Sequence, residues 1–310
     1  TEFSGQGTDH SEAQIIGRRS RDGGRSWGKA RVLQKNTGGK NVMSVTLRRL
    51  GAPGRHEGPI GLFFLQKNSM SDLGTKLRIS LDEAESFGGV LPVSTTPGYD
   101  VMNNDRVTRL SSGRLLAPVA STADVKKNNH FVSFCNISDD GGLSWRKGAG
   151  EVDYEKRGAM EPEVIELEDG RVAMILRTQL GHIAASYSQD EGETWTEAQS
   201  WGVRAPEAPA TLRRIPSTGD LLLVWNDTRT PGENHSGKRN PLTAAVSSDE
   251  GKTWRQARNL EKDPGQTYSY VSLVFARGRA VMSYYVRDEE TRRISSRFRS
   301  LPIGWFYESD

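Results

Sequence analysis

The chain has 310 residues, and its 42 Lys and Arg against 39 Asp and Glu give a formal net charge of +3 at pH 7. This balance and the lack of a basic run give no sign of nucleic-acid binding, and no apolar run of 18 residues is present to span a membrane. The single cysteine, Cys135, cannot form an internal disulfide, and the five His residues are scattered rather than spaced as zinc ligands. We therefore expect neither a metal nor a cofactor.

A short phrase with the pattern S-x-D-x-G-x-[ST]-W recurs along the chain. Its copies begin at Ser20, Ser80, Ser138, Ser188 and Ser247. Only the second copy departs from the pattern, with Ala84 in place of Gly and Phe87 in place of Trp. An Asp followed two residues later by Gly favours a tight turn, in which the carboxylate accepts backbone amides and Gly takes a positive φ. Because β-like residues flank each copy, we expect five hairpin turns with structural Asp residues, repeated in an array of one supersecondary unit.

This phrase resembles the Asp-box, or BNR repeat, of the sialidase (neuraminidase) superfamily. The resemblance implies an all-β fold, a six-bladed β-propeller whose Asp-boxes join the third and fourth strands of four-stranded antiparallel blades. A closed propeller of this size is one domain, here residues 1–310. The expected blades are 1–38, 39–97, 98–152, 153–203, 204–259 and 260–310.

The first copy of the phrase begins as early as Ser20, so we expect the first blade to lack its innermost strand. An open blade would expose an unpaired strand edge, which is a route to dimerisation, and the oligomeric state stays open. No signal peptide is visible. If a leader has been lost with the first strand, the protein is secreted or periplasmic, and the sequence leaves the localisation undecided.

Three segments resemble the parts of sialidases that bind and attack the sugar. Residues 160–170 are similar to the segment with the glutamate partner of the nucleophile, which assigns that role to Glu161. The next arginine of the family falls on Arg177. In residues 237–242, the resemblance places another arginine of the substrate-binding triad on Arg239.

The nucleophile and the acid/base follow from two further segments. Tyr268-Ser-Tyr-Val-Ser-Leu-Val274 resembles the run that holds the family's nucleophilic tyrosine, and aligning Tyr-x-Ser-Leu selects Tyr270, with Tyr268 as the alternative. Gly5-Gln-Gly-Thr-Asp9 precedes the first repeat as the family's acid/base loop does, which nominates Asp9.

Two polar groups outside these segments are candidates for lining the pocket. Asp105 and Arg106 open the third expected blade, and Asn226-Asp227 follows an expected strand of the fifth. The family's first triad arginine lies in an Arg-Ile-Pro phrase on a strand that is absent here. The same letters at Arg213-Arg-Ile-Pro216 fall in the fifth blade, so we do not transfer the role to them, and Arg106 is the candidate that would complete the anion site.

The residue types suit the chemistry. Sialic acid carries a carboxylate on its anomeric carbon, and planar guanidinium groups bind a carboxylate through two parallel hydrogen bonds. A neutral Tyr is not repelled by that carboxylate, and sialidases with a Tyr nucleophile are a known exception to the use of two carboxylates. An Asp on a loop protonates the leaving oxygen and then activates water.

Structural roles compete with each assignment. Glu161 is also compatible with a solvated turn, Arg177 with a buried ion pair, Arg239 with a solvated loop and Tyr270 with core packing, although we favour the site role for each. We therefore carry three hypotheses for the whole chain: a retaining exo-α-sialidase, a glycosidase or lyase for a different acidic sugar, and a carbohydrate-binding propeller without catalysis.

Overall fold

The computed structural model describes residues 1–4, 9–51, 57–228 and 238–308. Strands and their connections make up these residues, apart from a short 3₁₀ helix at Ile303–Tyr307, and this confirms the predicted all-β class. In the described part of the chain, no helix is long and apolar enough to cross a membrane. The chain divides into two compact units, residues 1–130 with 134–149 and residues 131–133 with 150–310.

The first unit contains two sheets within the described residues. Its strands are β1 (Glu2–Phe3), β2 (Ala13–Gly17), β3 (Arg31–Gln34), β4 (Asn41–Arg49), β5 (Ile60–Lys67), β6 (Leu73–Ser80), β7 (Leu91–Pro92), β8 (Tyr99–Val101), β9 (Thr108–Arg109), β10 (Leu115–Thr122), β11 (Val132–Ser138) and β12 (Arg146–Lys147). The first sheet has the order β1-β2-β3. The second has the order β12-β11-β10-β8-β6-β5-β4, with β7 against β6 and β9 against β10.

The second unit is built from antiparallel sheets whose strands follow the chain order. Its strands are β13 (Met160–Glu166), β14 (Val172–Arg177), β15 (His182–Ser188), β16 (Gln199–Arg204), β17 (Thr211–Arg214), β18 (Leu221–Trp225), β19 (Leu242–Ser247), β20 (Arg255–Glu261), β21 (Gln266–Ala276), β22 (Arg279–Asp288) and β23 (Ile294–Pro302). Strands β13–β16 and β17–β20 form two four-stranded sheets, and β21–β23 form a three-stranded sheet.

The interior strands of these sheets carry the core of the second unit. Every residue of β14 and β18 is buried, as expected for continuous apolar runs covered on both faces. Leu223 and Trp225 pack in one cluster with Ile175 of the neighbouring sheet, and Leu273 and Met282 anchor another. Full burial of each such side chain contributes about 1.5–3 kcal/mol. The packing of these interior strands therefore stabilises the sheets that carry the polar residues described below.

The five repeat turns share one set of hydrogen bonds. In the third copy, Asp140 accepts the Ser138 hydroxyl at 2.9 Å, the Ser144 amide at 2.9 Å and the Ser144 hydroxyl at 2.6 Å, while the Gly142 amide donates to the Ser138 hydroxyl at 2.9 Å. Equivalent contacts recur in the other copies. The bonds from Ser144 are the main reason that the pKa of Asp140 is lowered to about 2. These carboxylates are bound by their own turns, and their role is structural.

Candidate active site

Glu161 lies at an irregularity of β13. The register against β14 shifts between Met160 and Glu163, and Glu161 itself has a φ of +39°. A bulge leaves a residue outside the hydrogen-bonded ladder and re-aims its side chain, and a positive φ at a non-glycine residue costs about 1–3 kcal/mol. The side chain that this backbone presents is 12% exposed and accepts a hydrogen bond from Arg177 Nη1 at 2.6 Å.

Tyr270 lies at a second irregularity of the same kind. The register of β21 against β22 shifts between Ser269 and Ser272, and Tyr270 has a φ of +61°. Its ring lies 5.5 Å from the Arg239 guanidinium carbon, a cation–π distance. The Tyr285 ring meets it edge-on at 5.6 Å. Both residues that the resemblance assigns to the nucleophilic couple therefore occupy left-handed backbone at a bulge.

Arg177 ends the buried strand β14 and is held by two carboxylates. Its Nη1 donates to Glu161 Oε2 at 2.6 Å and its Nη2 to Glu207 Oε1 at 3.3 Å. Burial acts to lower the pKa of this guanidinium, but Glu161, Tyr270 and Glu207 outweigh it, and the net shift is upward. Arg177 is therefore a permanent, buried positive charge, stabilised by the acidic residues around it.

Glu207 is a central residue of this cluster that the sequence did not point to. It lies between β16 and β17 and is 4% exposed. Its Oε1 binds both Arg177 Nη2 and Arg157 Nη1, and its main-chain carbonyl accepts a hydrogen bond from Arg239 Nη2 at 3.1 Å. Three arginines from separate segments thus gather around one residue.

Only a weak signal in the sequence could have found these two additional residues. Glu207 is a lone charge in the run Ala205-Pro-Glu-Ala-Pro209, and a charge in an apolar segment is costly unless it is paired. Arg157 follows Glu155 and Lys156, so it looks like part of a solvated charge run and gives no signal at all.

A separate buried ion pair accounts for the Arg-Arg-Ile-Pro phrase. Arg213 pairs with Glu163, whose side chain is 1% exposed, and Glu163 Oε2 also accepts the Leu212 amide at 3.1 Å. This pair joins β13 to β17. The structure thus gives Arg213 a structural partner.

Tyr268 and Asn226 make contacts beneath Arg239 and Tyr270. Tyr268 is fully buried in an apolar cluster, its hydroxyl donates to Gln266 Oε1 at 3.2 Å, and its amide donates to the Arg239 carbonyl at 2.8 Å. Asn226 Nδ2 donates to the carbonyls of Pro241 and Tyr268, both at 3.2 Å. These hydrogen bonds hold the main chain at Arg239, Pro241 and Tyr268. The ligand-binding roles of Tyr268 and Asn226 stay predictions.

Asp227, the neighbour of Asn226, forms an ion pair with Arg204, with 3.1 Å between Arg204 Nη2 and Asp227 Oδ1. Arg204 ends β16, so this pair joins the end of β16 to the segment that follows β18. A role for Asp227 in the pocket also stays a prediction.

The remaining candidates belong to the first unit. Asp105 has a φ of +59° and binds Arg48 Nη2 through Oδ1 at 2.9 Å. Arg106 is fully buried, and its amide donates to the Thr46 hydroxyl at 2.9 Å. The role of these two residues in the anion site stays a prediction.

Asp9 is also a residue of the first unit, and it is exposed. Its main-chain carbonyl accepts hydrogen bonds from Asn41 Nδ2 at 2.9 Å and Lys67 Nζ at 3.3 Å. Residues 5–8, the rest of the loop that nominated Asp9, lie outside the described residues. The acid/base role stays a prediction.

Among the described ranges, no group of three or more His, Cys, Asp or Glu side chains is placed to hold a metal ion. The cluster around Glu207 instead offers guanidinium donors, a carboxylate and a phenol. Such a set can bind an anionic group.

Sequence comparisons identify proteins that share the repeat. Residues 1–282 match the model of a family described as the BNR repeat-like domain. A curated sialidase of Bacteroides fragilis (strain YCH46) is 27% identical over 172 residues, which are 53% of this chain and 29% of that protein. The match therefore spans less than a third of the curated relative.

Structural comparisons identify proteins with the same fold. A protein of unknown function from Dyadobacter fermentans DSM 18053 superposes with a TM-score of 0.73 at 21% identity, covering 94% of this chain and 84% of that one. The leech intramolecular trans-sialidase gives 0.73 at 15% identity, covering 96% and 64%. Trypanosoma rangeli sialidase, in complex with the inhibitor DANA, gives 0.71 at 17% identity, covering 94% and 50%. This chain thus spans half of the last protein, and at these identities the likeness concerns the fold.

Proposed function

Because the chain belongs to the BNR repeat-like domain family, we propose that it is a sialidase-like glycosidase that removes a terminal sialic acid from glycoconjugates with retention of configuration. Its sheets would be blades of a six-bladed β-propeller, the fold that the resemblance implies. The observation that carries the proposal is the cluster in the second unit. Glu161, Arg177, Arg239 and Tyr270 come from separate segments of the chain, and they are linked by the contacts around Glu207.

The proposed reaction assigns one task to each of these residues. Arg177 and Arg239 bind the sugar carboxylate through their guanidinium donors. Glu161 accepts the phenolic proton, and the Tyr270 oxygen forms a bond to the anomeric carbon as the bond to the leaving oxygen breaks. Asp9 is our candidate for protonating that oxygen and for activating the water that later releases the sugar.

Accessibility favours Tyr270 over Tyr268 as the nucleophile. A guanidinium lies near each ring, that of Arg239 at 5.5 Å from Tyr270 and that of Arg297 at 6.0 Å from Tyr268, and positive groups already in place stabilise negative charge that develops on a phenolic oxygen. Tyr268, however, is fully buried and its hydroxyl is bound to Gln266, whereas Tyr270 is partly exposed.

The direct test is release of 4-methylumbelliferone from its N-acetylneuraminic acid glycoside. We expect Tyr270→Phe and Glu161→Ala to remove the activity, and Tyr268→Phe and Tyr284→Phe to retain it. Tyr284 is a matched control, because it is another buried tyrosine of the unit whose hydroxyl binds a carboxylate, that of Glu261. Loss of activity in Tyr268→Phe but not in Tyr270→Phe would reverse the assignment.

One observation favours an alternative substrate. Arg177 already binds the carboxylates of both Glu161 and Glu207. The second carboxylate therefore changes which guanidinium donors of Arg177 are open to the carboxylate of a sugar. A glycosidase or lyase for a different acidic sugar is the second candidate. A folded protein that ignores sialosides but releases another acidic sugar would establish it, and a protein that binds such sugars without turnover would be a carbohydrate-binding propeller.

A further inference from the structure

We propose that Lys67 is a positioning residue for Asp9, our candidate acid/base, through hydrogen bonds to the Asp9 main chain and to the His10 ring. This inference rests on the proposed function and deepens it, because it names the group that holds the acid in place. All residues involved belong to the first unit. Lys67 is fully buried, and the proposed reaction gives it no other task.

The first support is the set of hydrogen bonds made by the Lys67 amine. Nζ donates to the Tyr99 hydroxyl at 2.8 Å and to the Asp9 carbonyl at 3.3 Å, and it lies 2.8 Å from His10 Nδ1. An ammonium has three donors and no acceptor, so His10 Nδ1 accepts from it, and the ring is neutral with its proton on Nε2. One buried side chain therefore holds both the main chain at Asp9 and the ring of the next residue.

The second support is that the Asp9 carbonyl is bound from the end of a paired sheet. Asn41 Nδ2 also donates to this carbonyl, at 2.9 Å, and to the Ser11 carbonyl at 3.0 Å. Asn41 begins β4, Lys67 ends β5, and the two residues are paired across these strands. Asp9 itself is exposed. A held main chain with an accessible carboxyl is what an acid needs in order to meet a substrate in one geometry.

The third support is the cost of the charge on Lys67. Burial lowers the pKa of Lys67 to about 8, while the charge of Asp9 acts to raise it and that of Lys40 to lower it. None of the three groups that bind the amine is a carboxylate, and Tyr99 stays neutral because burial raises its pKa to about 12. A buried ammonium without an ion-pair partner is costly. Asn41 shows that a neutral amide is enough to bind the carbonyl, so the charge indicates a role beyond packing.

Protonation of His10 would break this arrangement. A protonated ring carries a hydrogen on Nδ1, and that hydrogen would face the ammonium of Lys67. Burial and, next, the charge of Lys67 lower the pKa of His10 below its usual 6.5. Of the other charges near the ring, Asp9 acts to raise this pKa, and Lys40 and Lys126 act to lower it. The contact is therefore complete above pH 6.5 and is lost as the pH falls through the lowered pKa.

The experiment compares two sialosides whose leaving groups differ in their need for a proton. Methylumbelliferone leaves as a stabilised phenolate, whereas the lactose of sialyllactose would leave as an alkoxide unless an acid protonates it. Since general acid catalysis contributes about 10²–10⁴-fold, we expect Lys67→Met to lower kcat/KM for sialyllactose by about 10²-fold and to affect the aryl glycoside much less. His10→Ala, at an exposed position, should cause a smaller loss of the same kind, because the Asp9 carbonyl keeps both of its donors.

A second comparison shows whether Lys67 acts through Asp9. When Asp9→Ala is already present, adding Lys67→Met should cause no further loss on sialyllactose, because two residues that act as a unit are not additive. Lys147→Met is the matched control. Lys147 is a lysine of the same unit whose amine lies 4.2 Å from the centroid of the Phe134 ring, and we expect its loss to leave both kcat/KM values unchanged. Equal losses of Lys67→Met on the two substrates, or a further loss beside Asp9→Ala, would overturn the inference.

Failure of the proposed function would be recognised separately, by a measurement that needs no turnover. The imidazole of His10 is titrated by NMR in the full chain, and His10→Gln assigns its signal. We expect Lys67→Met to raise the pKa of His10 towards about 6.5. If the unaltered protein hydrolyses neither sialoside but the shift occurs, Lys67 does position the segment and the acid/base role of Asp9 is wrong. An unchanged pKa of His10 overturns the inference whether or not the protein is active.

Discussion

Replacing Glu207 with Gln tests whether this residue holds the arginine cluster together. The substitution keeps the size and the main-chain carbonyl that binds Arg239, but removes the charge that faces Arg157 and Arg177. Leaving a buried charge without any partner costs about 3–5 kcal/mol. Arg177 keeps Glu161 at 2.6 Å, and Arg157 keeps partial contact with water, so the loss is limited to the charge-assisted hydrogen bonds at Glu207. We expect a decrease of about 2–3 kcal/mol in the free energy of unfolding.

The measurement is urea denaturation followed by tryptophan fluorescence, with Glu250→Gln as the control. Glu250 also pairs with one arginine through two hydrogen bonds, but the two side chains are 22% and 26% exposed. A partly buried pair of this kind contributes less than a fully buried one, and fully exposed pairs contribute at most about 1 kcal/mol. Equal losses in the two variants would refute the reasoning, because Glu207 is the more buried glutamate and binds two arginines rather than one.

Three further predictions concern the repeat turns and the proposed couple. Ala84 has a φ of +62° where other copies have Gly, and since left-handed backbone costs a residue with a Cβ about 1–2 kcal/mol, Ala84→Gly should raise the unfolding free energy by about 0.5–1 kcal/mol in urea titrations. The pKa of Asp140 and of Asp249 is lowered to about 2, chiefly by hydrogen bonds from Ser144 and Thr253. Their stabilisation is therefore present above pH 3.8 and lost as the pH falls towards 2, which unfolding curves at a series of pH values should reveal as an acid transition that Asp140→Asn weakens. In steady-state assays, Tyr270→Phe should lower kcat for an aryl sialoside by at least about 10³-fold, and residual activity near the original level would exclude Tyr270 as the nucleophile.

The sequence is a reliable guide where the determining contacts are local. In each repeat turn the partners are two to four residues apart, so an eight-residue pattern contains the whole hydrogen-bond network. The contacts of Glu207 are of the opposite kind, since Arg157 is 50 residues away in the chain and Arg177 is 30. No local pattern encodes such contacts, and a lone charge between two prolines is the only trace that they leave.

Resemblance to a family, rather than physical inference, nominated Glu161, Arg177, Arg239, Tyr270 and Asp9. Arg177 shows why, because a charge at the end of an apolar strand predicts a buried partner without telling which one it is. The partner turned out to be two carboxylates, one on the neighbouring strand β13 and one beyond β16. The alternative of a buried ion pair and the functional assignment are therefore compatible, since the same guanidinium is paired with Glu161 and lies within the electrostatic reach of Tyr270.

Residues with a strained backbone in this fold differ in whether their side chains make contacts. Ala84, Glu161 and Tyr270 all have positive φ, yet only the first stands where other copies of its motif have glycine. A regular strand alternates its side chains between two faces, so a bulge is needed to bring a residue out of that alternation. The bulged strands are held by their pairing with β14 and β22. Glycine at position 161 would relieve strain but would also remove the carboxylate that binds Arg177 at 2.6 Å. Strain without a side-chain contact, as at Ala84, can be removed with a gain in stability, whereas strain at Glu161 and Tyr270 is retained because the side chains it presents are the ones that the proposed chemistry requires.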